Sequence, residues 1–284
     1  MDGKTLLSLA CYIPLFIAIA TRTSRTQRWY WDWRLFSFIS IGLAVLAGII
    51  KPLGLASLGA TALLAAMTFR TKALGRALAT AATVSLCVSL GAHLLPGISN
   101  PLLFSGAVSP ASSEYRLFWN FDKAFAGLIL LSLVPREATH PIRGIRAWKA
   151  CLAFLALAIL VAVLTGMTRW DPKFTRTLLL WAPANLFLVC FPEEAMFRML
   201  IQGRLEEWLA AHGKSASLGV FLAAAMFGLI HFRGGPVYMV VAALAGSAYG
   251  FAYQARRNPW HPVLVHFGLN LLHFLFFAYP FPRI

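Results

Sequence analysis

Two adjacent glutamates stand inside an apolar run, Leu186-Phe187-Leu188-Val189-Cys190-Phe191-Pro192-Glu193-Glu194-Ala195-Met196-Phe197-Arg198. The chain has only ten acidic residues among 284, so two of them side by side in such a setting ask for a cause. Placing one charged side chain at the centre of a bilayer costs about 2.5–3.5 kcal/mol on insertion scales, and a like charge beside it adds repulsion. Arg198 follows Glu194 by one helical turn and can pair with it. Glu193 is turned about 100° away on a helix and must face something else. Pro192 has no N–H and disturbs the helix just ahead of the pair, which can open a polar, hydrated pocket. Taken alone, this segment is equally a helix-end ion cluster with Glu193 solvated, or part of an ion or proton relay.

Three more polar residues enter apolar runs further on. His231 closes Phe227-Gly228-Leu229-Ile230-His231, and His266 and Asn270 stand four apart in His266-Phe267-Gly268-Leu269-Asn270, on one helix face. A lone membrane histidine is ordinarily a hydrogen-bonded packing residue. Polar insertions on three separate helices within the last hundred residues call for a common site. Their depths can be compared at 1.5 Å per residue: Glu193 lies about 11 Å from Leu200, and His266 and Asn270 about 6 and 12 Å from Pro262, on the same side. His231 lies about 20 Å from Leu218, deeper than the others. It reaches their level if its helix starts below the membrane, with Ser215 or Ser217 as N-cap.

The elements that position these residues follow from composition. Hydrophobic residues make up 59% of the chain, charged residues 12%, and mean hydropathy is +0.71. A soluble domain carries about 25% charged residues, so too little charge remains to coat a water-facing surface, and lipid is the solvent for most of the chain. The expected fold is all-α, a polytopic membrane bundle of about ten helices of roughly 20 residues each. Apolar spans fall near 5–20, 35–50, 53–69, 77–95, 124–134, 150–167, 178–200, 218–232, 237–255 and 262–279. Breaks at Lys51-Pro52, Gly234-Gly235-Pro236 and Asn258-Pro259 separate several of them. The interval 96–123 reads as a surface loop or re-entrant cap.

The net charge of +15 would suggest nucleic acid on a soluble protein, but here Lys and Arg sit between apolar runs, where they set topology and meet anionic headgroups. No nucleic-acid-binding motif is present, so nucleic acid is not expected as a partner. Loops 21–34, 70–76, 135–149, 201–217 and 256–261 hold 15 basic residues against nine in the alternate segments, Arg198 set aside. This favours both termini outside. Ala18-Ile19-Ala20 offers a signal-peptide cleavage site, but Arg22, Arg25, Arg28 and Arg34 after the first run argue for a retained helix. Cys11, Cys87, Cys151 and Cys190 lie singly in apolar runs and indicate neither a disulfide framework nor a zinc ribbon.

The order Glu-Glu-x-x-x-Arg, Phe-x-x-x-His, His-x-x-x-Asn resembles the CAAX-processing and bacteriocin-processing (CPBP) family of intramembrane glutamic proteases, which includes the type II prenyl-protein endopeptidases. The motifs occupy about 178–279. Residues 150–284 are expected to form the protease core, and 1–149 to be helices without a recognisable motif. The resemblance implies that Glu193, assisted by His231, activates a water; that Glu194 with Arg198 orients the site; and that His266 and Asn270 donate to the oxyanion of the tetrahedral intermediate. It implies no metal and no other cofactor. The expected partners are membrane lipids and a membrane-anchored or lipidated protein or peptide substrate. The expected location is a bacterial inner membrane, in multi-pass form.

Other readings stay open. Glu193, His231 and His266 could ligate zinc, although no HExxH occurs. Cys190 could be a nucleophile, although nothing near it in sequence would lower its pKa. His261 and His273 lie outside the motifs and read as structural. A proton- or ion-coupled transporter would use similar residues, but no inverted repeat is visible. A non-proteolytic immunity factor against a peptide toxin would keep the fold without the reaction.

Overall fold

The structure, a computed structural model, describes residues 3–23, 32–134 and 144–283. Arg25, Arg28, Arg136 and Arg143, four of the charges used in the topological reading, lie outside the described residues. The chain is mostly helical, as its composition requires: hydrocarbon offers no water to backbone N–H and C=O groups, and a helix satisfies them within one segment. Two compact units are distinguished. One comprises Met1–Leu102, Phe118–Arg136 and Phe187–Pro192, the other Leu103–Leu117, Glu137–Leu186 and Glu193–Ile284.

The first unit holds α1 (Gly3–Ala10), α2 (Tyr12–Thr23), α3 (Trp33–Leu46), α4 (Pro52–Met67), α5 (Ala73–Gly91) and α6 (Phe121–Ser132). Helix α2 packs on α3, and α5 packs on both α4 and α6. Local chemistry sets the helix ends. Asp32 caps α3 by accepting from the Arg34 N–H at 2.8 Å, and Pro52 stands in the first turn of α4, where a missing N–H costs nothing. Asp122 in the first turn of α6 accepts from Asn100 Nδ2 at 2.9 Å and meets His93 Nδ1 at 2.8 Å. At the other end of α6, the buried guanidinium of Arg22 donates to the carbonyls of Leu131 (2.7 Å) and Val134 (3.3 Å), placing a cation where the helix leaves its carbonyls unpaired.

Gly127 on α6 is required by close packing. A Cβ there would stand 2.6 Å from Pro192 Cα and 3.2 Å from a Phe191 ring carbon. Backbone cannot yield as a side-chain tip can, so Gly127→Ala is expected to lower melting temperature by an amount matching about 1–3 kcal/mol of overpacking. Gly42→Ala on α3, where a Cβ meets nothing within 4 Å, is the control and should leave melting unchanged or slightly raised. Equal melting of the two variants in detergent would contradict the close approach.

The second unit holds a two-stranded ribbon, β1 (Leu102–Ala107) with β2 (Glu114–Phe118), apart from its terminal residues. This ribbon occupies the interval that the sequence reads as a loop or cap, and it is a small departure from an all-α fold. Five helical segments follow: α7 (Gly144–Leu164), α8 (Leu178–Ala211, its middle residues Phe187–Pro192 counted with the first unit), α9 (Ala216–Leu229), α10 (Gly235–Arg256) and α11 (Trp260–Phe276). Helix α10 packs against α7, α9 and α11. Its buried face is built from Ala242, Ala245, Ala248 and Ala252, and small residues are what let backbones approach where burial from water provides little drive. Gly228 shows how close: a Cβ there would stand 2.6 Å from the Met239 carbonyl oxygen.

Beyond α11, the chain end closes on the loop before α8. Asp171 N–H donates to the Phe276 carbonyl at 2.8 Å, and Lys173 Nζ bonds the carbonyls of Asp171 and Phe277. Burial pushes the Asp171 carboxyl up, but the Ser109 hydroxyl at 2.5 Å together with Lys173 and Arg169 outweighs it and holds the group below its ordinary value.

Five described helical segments are long and apolar enough to cross a membrane: Leu6–Thr23, α5, α7, α8 and Phe232–Arg256. Helices α3, α4 and α9 are apolar but shorter. The largest difference from the sequence reading is α8, which runs 34 residues and does not end near Leu200. It contains both Pro183 and Pro192 and carries wide, π-type turns at Ala184–Cys190 and Ala195–Gln202. A proline removes one helical hydrogen bond and crowds the preceding turn, and widening that turn is one way for a helix to absorb it.

Candidate active site

The two glutamates stand in the regular turn Phe191–Glu194, between the two wide turns, and their surroundings differ. Glu194 is wholly buried and Glu193 only half-buried. Both oxygens of Glu194 are engaged. Oε2 accepts from Arg198 Nε at 3.0 Å, with both side chains fully enclosed. Oε1 meets His266 Nδ1 of α11 at 2.9 Å. A carboxylate paired with a guanidinium can only accept, so the imidazole donates to it through Nδ1.

Aromatic side chains enclose this pair. The Tyr249 ring of α10 stacks on His266 at 4.4 Å and 15°, and Phe227 of α9 meets His266 edge-on at 5.9 Å. The Arg198 guanidinium lies 5.1 Å from the centre of the Phe227 ring and 5.9 Å from those of Tyr249 and Phe197, within cation–π range. Tyr249 was not legible in the sequence: a tyrosine in an alanine- and glycine-rich helix reads as packing.

His231 reaches the same cluster from the turn after α9. Its ring lies 4.6 Å from Phe227, and its Nδ1 donates to the Phe227 carbonyl at 2.7 Å. The carbonyl is an acceptor only, so Nδ1 carries the proton of that bond. The sequence reading set His231 within a helical span, too deep by several ångströms. In the structure α9 ends at Leu229 and His231 stands just beyond it. Ser215, one of the two caps the sequence offers, is the N-cap of that helix, accepting from the Ser217 N–H at 3.3 Å. On its other side His231 meets Tyr238 edge-on at 5.3 Å.

Asn270, one turn after His266 on α11, donates through Nδ2 to Asn185 Oδ1 at 3.2 Å. Asn185 is buried and was missed in the sequence. The signal was there: an amide in an apolar run eight residues before Glu193 carries the same burial penalty that singles out the glutamates. Glu194, Arg198 and His266 are therefore in direct contact. His231 joins them through Phe227, Asn270 is oriented by Asn185, and Glu193 stands next to Glu194 in the chain. Cys190 is fully buried. His261 packs edge-on against Trp148 at 5.5 Å, and His273 lies among Phe277 and Tyr279. Among the described residues, no three His, Cys, Asp or Glu side chains are grouped so that they could share a metal ion.

Fold and site define an integral membrane protein of the helical class with a buried carboxylate–guanidinium–imidazole cluster. Residues 175–272, about a third of the chain, match the family described as Type II CAAX prenyl endopeptidase Rce1-like, the protease family that the motifs resemble. The matched segment contains all six candidate residues. Comparisons with curated proteins and with solved structures found no match.

Proposed function

We propose that this chain is an intramembrane endopeptidase of the glutamic type, cleaving a membrane-anchored protein or peptide by an activated water. The observation that carries the reading is the separation of two adjacent carboxylates into different environments: Glu194 is wholly buried with its oxygens on Arg198 and His266, while Glu193 beside it is only half-buried. In this reading Glu193, assisted by His231, takes the proton of the attacking water and passes it to the leaving amine. Glu194 and Arg198 are positioning residues that fix the His266 ring. His266 and Asn270 face the developing oxyanion, one held by Glu194 and the other by Asn185. Because Nδ1 of His266 is committed to Glu194, Nε2 donates to an oxyanion only from the imidazolium form, which has taken up a proton from water before the attack and is balanced by the Glu194 carboxylate.

The reading includes about ten membrane crossings with both termini outside, the motif-bearing half at 150–284 as the protease core, and no metal requirement, since each step is carried by a side chain. It is supported by the family match over 175–272 and by the family's concern with membrane-associated prenylated substrates. Two measurements test it. Purified protein in detergent should hydrolyse a membrane-anchored peptide and keep turnover after stringent chelation; loss on chelation with recovery on stoichiometric zinc would replace the mechanism. Reporter fusions after residues 76, 149, 215 and 258 should all report cytosolic, and the opposite side at 215 and 258 would invert the catalytic half.

A further inference from the structure

Glu194 and Arg198 are the first two members of a longer series. Glu194, Arg198, Gln202 and Glu206 follow at intervals of four along α8, and all four are completely buried. Side chains at this spacing share one helix face. The face they meet belongs to α10, where Gly246, Gly250 and Gln254 also repeat every fourth residue. A Cβ at Gly246 would stand 3.2 Å from Arg198 Nη2, and one at Gly250 would stand 2.7 Å from Gln202 Oε1. The two glycines therefore leave room for the polar ends of α8. Gln202 Nε2 donates to Glu206 Oε1 at 2.9 Å and to the Gly250 carbonyl at 3.1 Å, and Gln254 Nε2 donates to the same Glu206 oxygen at 2.7 Å. Arg257, just past the end of α10, sets Nη1 2.5 Å from Glu206 Oε2, an ion pair too poorly aligned to count as a hydrogen bond.

These bonds leave a remainder. Arg198 Nη1 and Nη2, Gln202 Oε1, Gln254 Oε1 and Arg257 Nε are all buried and have no hydrogen-bond partner among the described residues. Each unmet group of this kind costs about 1–3 kcal/mol, so five of them left dry would consume about as much as the whole stability of a typical domain, about 5–15 kcal/mol. Three of the five are donors and two are acceptors, the acceptors lying between the two arginines. A cation would satisfy only the oxygens and an anion only the nitrogens. Water does both, and an internal water makes about three hydrogen bonds.

We propose that the α8–α10 interface holds a file of ordered waters running from Arg257 to Arg198. The file ends at one side on the Glu194–His266 pair. At the other side it ends where α10 finishes and Arg256 is exposed to its surroundings. Twelve residues separate Glu194 from Glu206, spanning less than the roughly 18 Å of a regular α-helix because Ala195–Gln202 is wound in wide turns. Resting on the peptidase reading, the file supplies the water that hydrolysis consumes at a depth where the bilayer has none.

The test is radiolytic labelling in isotopically labelled water, with the full chain in lipid nanodiscs. Radicals formed from bound internal waters mark the buried side chains beside them. Phe227 and Tyr249, each 2% exposed and each facing the Arg198 guanidinium, should take up label. Phe121 and Phe274, both fully buried among aromatic neighbours, should not. Gln202→Leu removes the middle of the series without stranding a charge and should abolish the label on Phe227 and Tyr249. If that variant fails to fold, Gln254→Met interrupts the file on the Arg257 side. Label no higher than in Phe121 and Phe274, or label that persists in a folded Gln202→Leu protein, overturns the proposal. Where the protein hydrolyses peptide, Gln202→Leu should lower kcat and leave KM; an unchanged kcat with the label gone refutes the supply role. Label present in a protein without any turnover removes the peptidase reading and leaves the file standing.

Discussion

Glu193→Gln is expected to reduce peptide turnover by about 10²–10⁴-fold while leaving melting temperature and substrate binding close to those of the unaltered protein. The two neighbouring glutamates are chemically identical, so only their surroundings can assign their roles. Glu194 has Arg198 at 3.0 Å on one oxygen and His266 at 2.9 Å on the other, and it is completely enclosed. To accept a proton from water it would have to give up one of these partners. Glu193 is only half-buried. An amide at position 193 keeps the shape of the carboxylate and loses its capacity to take a proton, so the loss should fall on kcat. Turnover of a membrane-anchored peptide, measured beside thermal unfolding in the same detergent, decides it. A well-folded Glu193→Gln protein with near-normal turnover would sink the general-base assignment and most of the case for a glutamic protease.

Glu194→Gln is expected to fail differently, losing yield and thermal stability together with activity. The substitution strands the guanidinium of Arg198, whose side chain is 0% exposed, and turns a carboxylate oxygen facing His266 Nδ1–H into an amide that cannot accept from both partners at once. Removing one member of a buried ion pair costs about 3–5 kcal/mol, because the remaining charge has no compensation. In a bilayer the cost tends to the lower end, since the unfolded reference also finds partners. The double variant Glu194→Gln, Arg198→Gln removes both charges and should recover much of the melting temperature without recovering turnover, because His266 then lacks the carboxylate that orients it. Unchanged melting of the single variant would mean that the pair does not hold this helix face.

Some of this was legible in the order of residues, and the reason differs from residue to residue. The balance of apolar and charged residues determined the solvent of the fold, because a chain with 12% charged residues cannot cover itself against water. The cost of burying charge in lipid singled out Glu193, Glu194, Arg198, His231, His266 and Asn270 without reference to any contact, and the pairing of Glu194 with Arg198 followed from helical spacing alone. Tertiary structure decided what spacing cannot reach. Hydropathy sees Gln202 and Glu206 as the polar end of a span. Only the glycines of α10 and the reach of Gln254 and Arg257 show why the helix continues to Ala211 with those side chains buried. The nitrogen that each histidine turns to its partner, the stacking of Tyr249 on His266 and the hold of Asn185 on Asn270 all depend on side chains from different segments meeting at hydrogen-bond or ring-contact distance. A one-dimensional pattern records the polarity of each of these residues and carries no information about which of the others stands opposite.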